Sequence, residues 1–265
     1  MDETHLVHVS GVAAEQTREL IGEAPVRISV QDRPYGVLLA TPGEAEALAA
    51  GFCLSEGLIT GPDDLASVQW HEDGSRARVT LTHRRLAVVA PRLADRCWSG
   101  GPDFDLGDVA PLAPGPVFDP VSVRGQIDAL DTLQPLRRRT RAAHAAALYD
   151  AQLNLLSVAE DVGRHNALDK AVGRLLLDGG FHRIRLLVLS SRISFEMINK
   201  AARARVAVVA AVSRPTALAV SLARRMNMTL ATPAGPAGLC VYCGRQRLTG
   251  NAAKGEKHVD SPAGH

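Results

Sequence analysis

Between residues 185 and 232, short apolar runs alternate with stretches of helical period, and this rhythm restricts the fold more than any other feature of the chain. Arg185 to Ser191, Val206 to Val212 and Met228 to Thr232 read as strands. Phe195 to Arg203, behind Ser194, and Pro215 to Met226 read as the helices between them. Strands this apolar, separated by helices, argue for a parallel layer buried on both faces. In such sheets ligands gather beyond the carboxyl ends of the strands. Those ends are Ser190-Ser191-Arg192, Ser213-Arg214 and the loop Pro233 to Gly238.

Upstream, His144 to Tyr149 and Leu153 to Val158 read as a hairpin, and Asn166 to Asp178 as a helix ended by Gly179-Gly180. The segment Asp161-Val162-Gly163-Arg164-His165-Asn166 before that helix has two readings. Asp161 or Asn166 caps backbone donors, or the helix N-terminus holds an anion with Arg164 and His165. The first half has a different, α+β character. Val26, Ile28 and Val30 alternate as a half-buried strand, with Tyr35 to Ala40 as its hairpin partner. Thr41-Pro42-Gly43-Glu44 reads as a capping box for a helix stopping near Gly57. Val68 to Glu72, Ala77 to Leu81 and Leu86 to Val89 read as further strands. Residues 101–120 hold five Pro and three Gly, which marks a boundary, after which Asp119-Pro120 starts a helix running through Leu133. The expected units are therefore 1–116, 117–250 and a disordered tail over 251–265.

Composition serves mainly to exclude. No stretch approaches the roughly 18 apolar residues of a membrane span, and Met1 to Gln16 carries acids and no apolar run, unlike a signal peptide. A net charge of +2 gives no argument for nucleic acid. Arg outnumbers Lys 26 to 4; the densest cluster, Arg137-Arg138-Arg139 with Arg141, reads as a solvated helix end. Walker, dinucleotide-binding, zincin and nucleophile-elbow motifs are all missing. Four cysteines in 265 residues do not make a disulfide framework, so a cytoplasmic setting with reduced thiols is expected.

The cysteines carry the chemistry that remains. Cys53 sits in an apolar helix pattern and reads as packing. Cys97 lies in a Gly- and Pro-rich loop beside Arg92 and Arg96, whose charge favours the thiolate. Cys240 and Cys243 form C-x-x-C-G. If Leu239 to Cys243 is a strand, the two thiols point to opposite faces; if it turns, they form half of a metal knuckle or a redox pair. No metal site is expected, since a closed zinc site would need two more ligands from elsewhere.

Five stretches together resemble one family: A-T-P-G-E-A-E-A-L-A-A-G-F-C-L-S-E-G-L-I (40–59), H-A-A-A-L-Y-D (144–150), E-D-V-G-R-H-N-A-L-D-K (160–170), S-S-R-I-S-F-E-M (190–197) and A-V-S-R-P-T-A-L-A-V (211–220). The chain is similar to the FdhD/NarQ family, the formate dehydrogenase accessory sulfurtransferases. The resemblance implies an α/β fold: a cytidine-deaminase-like three-layer α/β/α domain plus a smaller N-terminal α+β domain. Deaminase chemistry is not implied, because His144-Ala145-Ala146 lacks the catalytic acid of H-x-E. The resemblance implies transfer of persulfide sulfur from a cysteine desulfurase to the molybdenum cofactor of formate dehydrogenase, bound as a bis-molybdopterin guanine dinucleotide. It also implies a homodimer.

By position, Cys97 matches the first thiol of the family's loop C-x-x-C and is the expected persulfide carrier, while Gly100 replaces the second. Thr140-Arg141-Ala142-Ala143-His144 stands for the family's T-G-G-x-H, without its glycines. The family's cofactor segment falls on Pro233, Ala234, Gly235, Pro236, Ala237 and Gly238, where the usual aromatic and basic residues are missing and contact passes to backbone N–H groups. Arg164, His165, Ser191 and Arg192 are the expected contacts for phosphate or guanine. Cys240 and Cys243 are a candidate relocated sulfur pair. Two alternatives stand beside this reading: a cofactor-binding chaperone that no longer moves sulfur, and a zinc or redox protein centred on Cys240 and Cys243.

Overall fold

The computed structural model describes residues 3–7, 13–17, 19–71, 76–87 and 109–249. The segment of Cys97, Gly100, Arg92 and Arg96 and the tail over 251–265 lie outside the described residues. Two strands, β1 (Glu3–Val7) and β2 (Ala13–Thr17), pair antiparallel. β3 (Ala24–Val30) and β4 (Arg33–Ala40) form the expected hairpin. With β5 (Leu65–His71) and β6 (Arg76–Leu81) they make a sheet in the order β4-β3-β6-β5. The helix α1 (Ala45–Ser55) is buried on nearly every side, which accounts for its many small residues and few charges.

The second sheet has six strands in the order β12-β11-β10-β9-β7-β8. Its centre is the predicted parallel layer: β9 (Leu186–Leu189), β10 (Val208–Ala211) and β11 (Thr229–Ala234), of which β9 and β10 are wholly buried. The hairpin β7 (His144–Tyr149) and β8 (Leu155–Asp161) adds antiparallel strands on one side, and β12 (Gly238–Cys243) on the other. The crossover helices α5 (Arg164–Leu177), α6 (Phe195–Arg203) and α7 (Ala217–Arg225) pack side by side, α5 on α6 and α6 on α7, as right-handed connections in one direction across a sheet would place them. On the other face, α3 (Pro120–Ala129) packs against β9, β10 and β12, and α4 (Pro135–Thr140) follows it. Asp119 caps α3 by accepting from the Ser122 N–H at 2.9 Å. One cluster of buried apolar side chains runs through both sheets. Among the described residues no helix is long and apolar enough to cross a membrane.

α1 joins the halves by lying along α5 at backbone contact. A Cβ on Gly51 would sit 2.0 Å from the Asp169 carbonyl oxygen, and one on Gly173 1.8 Å from that of Ala47. Only glycine permits this crossing.

Four local expectations change. Glu44 is not part of a capping box: it takes a left-handed conformation (φ 59°) at the N-cap with no side-chain cap, and pairs with Arg174 instead. Residues 83–87 are helical, α2, where a strand is expected from Leu86. Its Arg85 is buried and donates to the carbonyls of Leu58 (2.5 Å) and Gly57 (2.6 Å) beyond α1, which an extended edge strand would not serve. Pro233, Ala234 and Gly238 are strand residues, and only Gly235 to Ala237 form the turn between β11 and β12.

The last change concerns the thiols. Leu239 to Cys243 is a strand, but a bulge lies in it. Cys240 pairs with Thr232 and Cys243 with Leu230, two positions apart on β11, so the extra residue returns both cysteines to one face.

Candidate functional site

The carboxyl ends of β8 and β9 and the start of β7 gather the candidate residues at the first turns of α5 and α6. His144 opens β7 opposite Asp161. Ala145 ties β7 to Ser190: its N–H donates to the Ser190 Oγ at 2.8 Å, and its carbonyl accepts from the Ser190 N–H at 3.1 Å. Arg164 and His165 form the first turn of α5. Glu196, in the first turn of α6, lies 3.8 Å from His165 Nε2. Nδ1 of His144, Nε of Arg164 and Nε2 of His165 are buried and have no hydrogen-bond partner among the described residues. Buried polar atoms are ordinarily satisfied, so two orphans at the start of α5 and one on the adjoining strand β7 point to a polar ligand.

The rest of the 160–170 motif is used within the protein. Glu160 accepts from the N–H groups of Leu136 and Arg137, both at 2.8 Å, at the start of α4. Asp161 and Lys170 form a fully buried ion pair at 2.7 Å. Around it, the Thr41 N–H donates to Asp161 (3.0 Å) and Lys170 donates to the Thr41 carbonyl (2.8 Å). Asn166 donates to both the Leu39 carbonyl (2.7 Å) and Asp161 (3.0 Å). Asp169 accepts from Ser55 on α1 and Lys200 on α6, both at 2.6 Å. The capping reading holds in part: Asp161 accepts the N–H of the N-cap Gly163 at 2.9 Å, and the same carboxylate, with Asn166, also binds the strand end at Leu39 to Thr41. Arg164 and His165 are left facing outward.

Both histidines are held below the ordinary value of 6.5. For His144 the causes are burial, then the charges of Arg164 and Arg137. For His165 they are burial, Lys200 and Arg164, partly offset by Glu196 and Asp169. Unfolded histidines take up protons near pH 6.5 that the folded ones refuse until the pH is lower. Stability is therefore complete above about pH 7 and falls as the pH drops through the unfolded value. Urea midpoints measured between about pH 7.5 and 5.5 are expected to fall for wild type. The H144Q/H165Q variant should lose that part of the slope; an unchanged slope would show that neither imidazole is the cause.

The other predicted residues spread outward from this cluster. Ser191 is buried and donates to the Arg192 carbonyl at 3.2 Å; Arg192 is exposed beyond β9. The turn from Gly235 to Ala237 is exposed two strands away, where Arg124 of α3 donates to the carbonyls of Gly235 (3.1 Å) and Gly238 (3.0 Å). Cys240 and Cys243 are both free thiols on the edge strand β12, three strand spacings or about 14 Å from β9. Cys240 is exposed. Cys243 is half-buried, and burial pushes its thiol up despite help from the Leu230 N–H and Arg224, so it is a poor thiolate. Cys53 is fully buried and its thiol is pushed far up by burial, as packing requires. Among the described residues no cluster of three His, Cys, Asp or Glu is placed to hold a metal.

His144 and Glu196 were missed as site residues. The signal for Glu196 was its place in S-S-R-I-S-F-E-M, in the first turn of α6. For His144 it was its position at a strand start opposite the acid that ends β8.

The FdhD/NarQ family matches residues 21–249. The "Sulfur carrier protein FdhD" of Xanthomonas axonopodis pv. citri (strain 306) is 36% identical over 259 residues, covering 94% of this chain and 92% of that protein. The protein of the same name from Streptomyces avermitilis is 34% identical over 267 residues, covering 92% and 93%. A crystal structure from Desulfotalea psychrophila, of a protein assigned as a formate dehydrogenase accessory protein, shares the fold with a TM-score of 0.78 at 24% identity, over 94% of this chain and 98% of the other. With its motifs, its fold and its relatives in agreement over almost the whole length, the chain belongs to the FdhD/NarQ family.

Proposed function

We propose that this protein carries sulfur in the maturation of formate dehydrogenase. It accepts persulfide sulfur from a cysteine desulfurase on Cys97 and delivers it to the molybdenum cofactor in its bis-guanine-dinucleotide form. The names of its relatives support the sulfur-carrier role. The observation that carries the cofactor half is the isolation of Arg164 and His165. Every other polar residue of their motif is spent on internal bonds, while these two and His144 keep buried polar atoms without hydrogen-bond partners among the described residues. A guanidinium and two imidazoles at a helix start suit phosphate and guanine edges. Ser191, Arg192 and the backbone N–H groups of the 233–238 hairpin extend the same strand-end surface. The protein is proposed to work as a homodimer in the cytoplasm.

In the transfer step the Cys97 thiolate attacks the outer sulfur of the donor persulfide. A bond forms between those two sulfurs, the donor's S–S bond breaks, and the donor leaves as its thiolate with the electron pair. One thiol suffices for carriage; Gly100, in place of a second loop thiol, leaves release of the sulfur to the acceptor. The cofactor-binding chaperone is the second reading, and that same Gly100 favours it.

Incubation with a cysteine desulfurase and cysteine, followed by peptide mass spectrometry, tests the first half. One added sulfur on Cys97 is expected in wild type and in C240A, and none in C97A. Titration with GDP tests the second half: binding in wild type, and at least about tenfold weaker binding in R164A/H165A. GDP binding with no added sulfur on any cysteine leaves the chaperone. Sulfur on Cys240 instead of Cys97 moves the carrier to β12.

A further inference from the structure

We propose that the opposite end of the second sheet, at the amino ends of β9 and β10, docks an acidic segment of a partner protein. On the sulfur-carrier reading, on which this identification rests, that partner is the sulfur donor.

Two concavities of about 340 and 350 Å³ open on this face and share Thr60. The first has an apolar floor of Leu54, Ile59 and Val109, with Arg203 and Arg205 among its walls. The second is lined by Arg84, Arg85 and His182 beside Asp63 and Asp64. Arg85 is buried on the carbonyls of Leu58 and Gly57, which leaves the guanidinium charge of the walls to Arg84, Arg203 and Arg205. One of the two acids is engaged locally: Asp64 accepts from the N–H (2.6 Å) and hydroxyl (2.8 Å) of Thr60 and lies 3.6 Å from Arg85.

A basic residue in the last turn of α6 is ordinary complementation of the helix dipole, and that accounts for Arg203. It does not account for Arg84, which is exposed on α2, or for Arg205, exposed beyond α6 with a left-handed backbone (φ 58°). An apolar floor with guanidinium walls fits an aliphatic or aromatic side chain flanked by carboxylates, which arginine grips in bidentate fashion.

The place of this face along the chain identifies the partner. It adjoins α2, whose last described residue is Ala87, and Val109, and Cys97 lies ten residues after the first and twelve before the second. A donor seated here binds beside both ends of the segment that holds the carrier thiol. It leaves the Arg164 and His165 cluster, at the other end of the sheet, open for cofactor. α6 runs from one end to the other, and its nine residues separate them by about 14 Å.

The test uses the full-length protein and a purified cysteine desulfurase as the probe, with binding measured at low and high salt. R84E/R205E is expected to weaken binding about tenfold and to remove most of its salt dependence. The charge-matched R138E/R139E, at the exposed end of α4, is expected to bind as wild type. Arg205 also donates to the Ala110 carbonyl at 2.7 Å, so R84E alone serves as the second variant, with about threefold weaker binding expected. Wild-type binding by R84E/R205E overturns the docking face, as does an equal loss in R138E/R139E. C97A separates the two ideas. It should bind the desulfurase normally while taking no sulfur. A desulfurase that binds through Arg84 and Arg205 yet leaves Cys97 unmodified in wild type sinks the carrier reading and keeps the docking face.

Discussion

K170A is expected to lose about 3–5 kcal/mol of folding stability, the largest single loss the structure implies. Lys170 and Asp161 are fully buried and 2.7 Å apart, and the same ammonium donates to the Thr41 carbonyl. Removing it strands a carboxylate in the interior and leaves the half-buried Thr41 carbonyl without that donor. The pair is not required to be stabilising in itself. Its desolvation offsets much of its attraction, so D161N/K170M should recover part of the loss that K170A incurs. Urea unfolding with an unchanged slope is the measurement, and the midpoint shift gives the free energy. A K170A loss below about 1 kcal/mol would show that the site relaxes or admits water, and that the link from Thr41 to α5 is not held by charge.

G173A should cost roughly 3 kcal/mol or more, and G51A a similar amount. Each added methyl would meet a backbone oxygen, of Ala47 or Asp169, far inside contact distance, and a helix backbone cannot turn aside as a flexible side chain can. Ordinarily a glycine-to-alanine change inside a helix stabilises by about 1 kcal/mol, so the predicted sign is opposite to intrinsic propensity. The two losses are not expected to add, because one displacement of α1 from α5 relieves both clashes. If G173A unfolds at or above the wild-type urea midpoint, the helices do not cross at backbone contact.

The central β-α-β rhythm was legible because burial on both faces writes continuous apolar runs, and here three of them alternate with helical stretches. Phe195 to Arg203 was read to the residue, and Asp119 as a cap, because both follow from local chemistry. The failures share a cause of the opposite kind. Glu44 was drawn from its cap by Arg174, 130 positions away, and residues 83–87 became helical so that Arg85 could serve carbonyls beyond α1. Cys240 and Cys243 came to one face through a bulge whose register is set across the sheet. In the site, Arg164 and His165 were legible as a helix start with charge. Their isolation was not, since it depends on where Asp161, Asn166, Asp169 and Lys170 spend their bonds. His144 reaches them only through the β7–β8 pairing.

The backbone contact between α1 and α5 also bears on how the chain is made. Gly51 leaves the ribosome roughly 120 residues ahead of Gly173, a lag of about 6–25 s at ordinary synthesis rates. Through that interval α1 has only the first sheet to lie against, and the strip of small residues meant for α5 stays uncovered. Closing so long a separation is a late and slow event in the search for the native state. The first half of this protein therefore emerges as a dependent of the second, and a nascent chain halted before residue 164 offers a chaperone the very surface that the finished protein hides best.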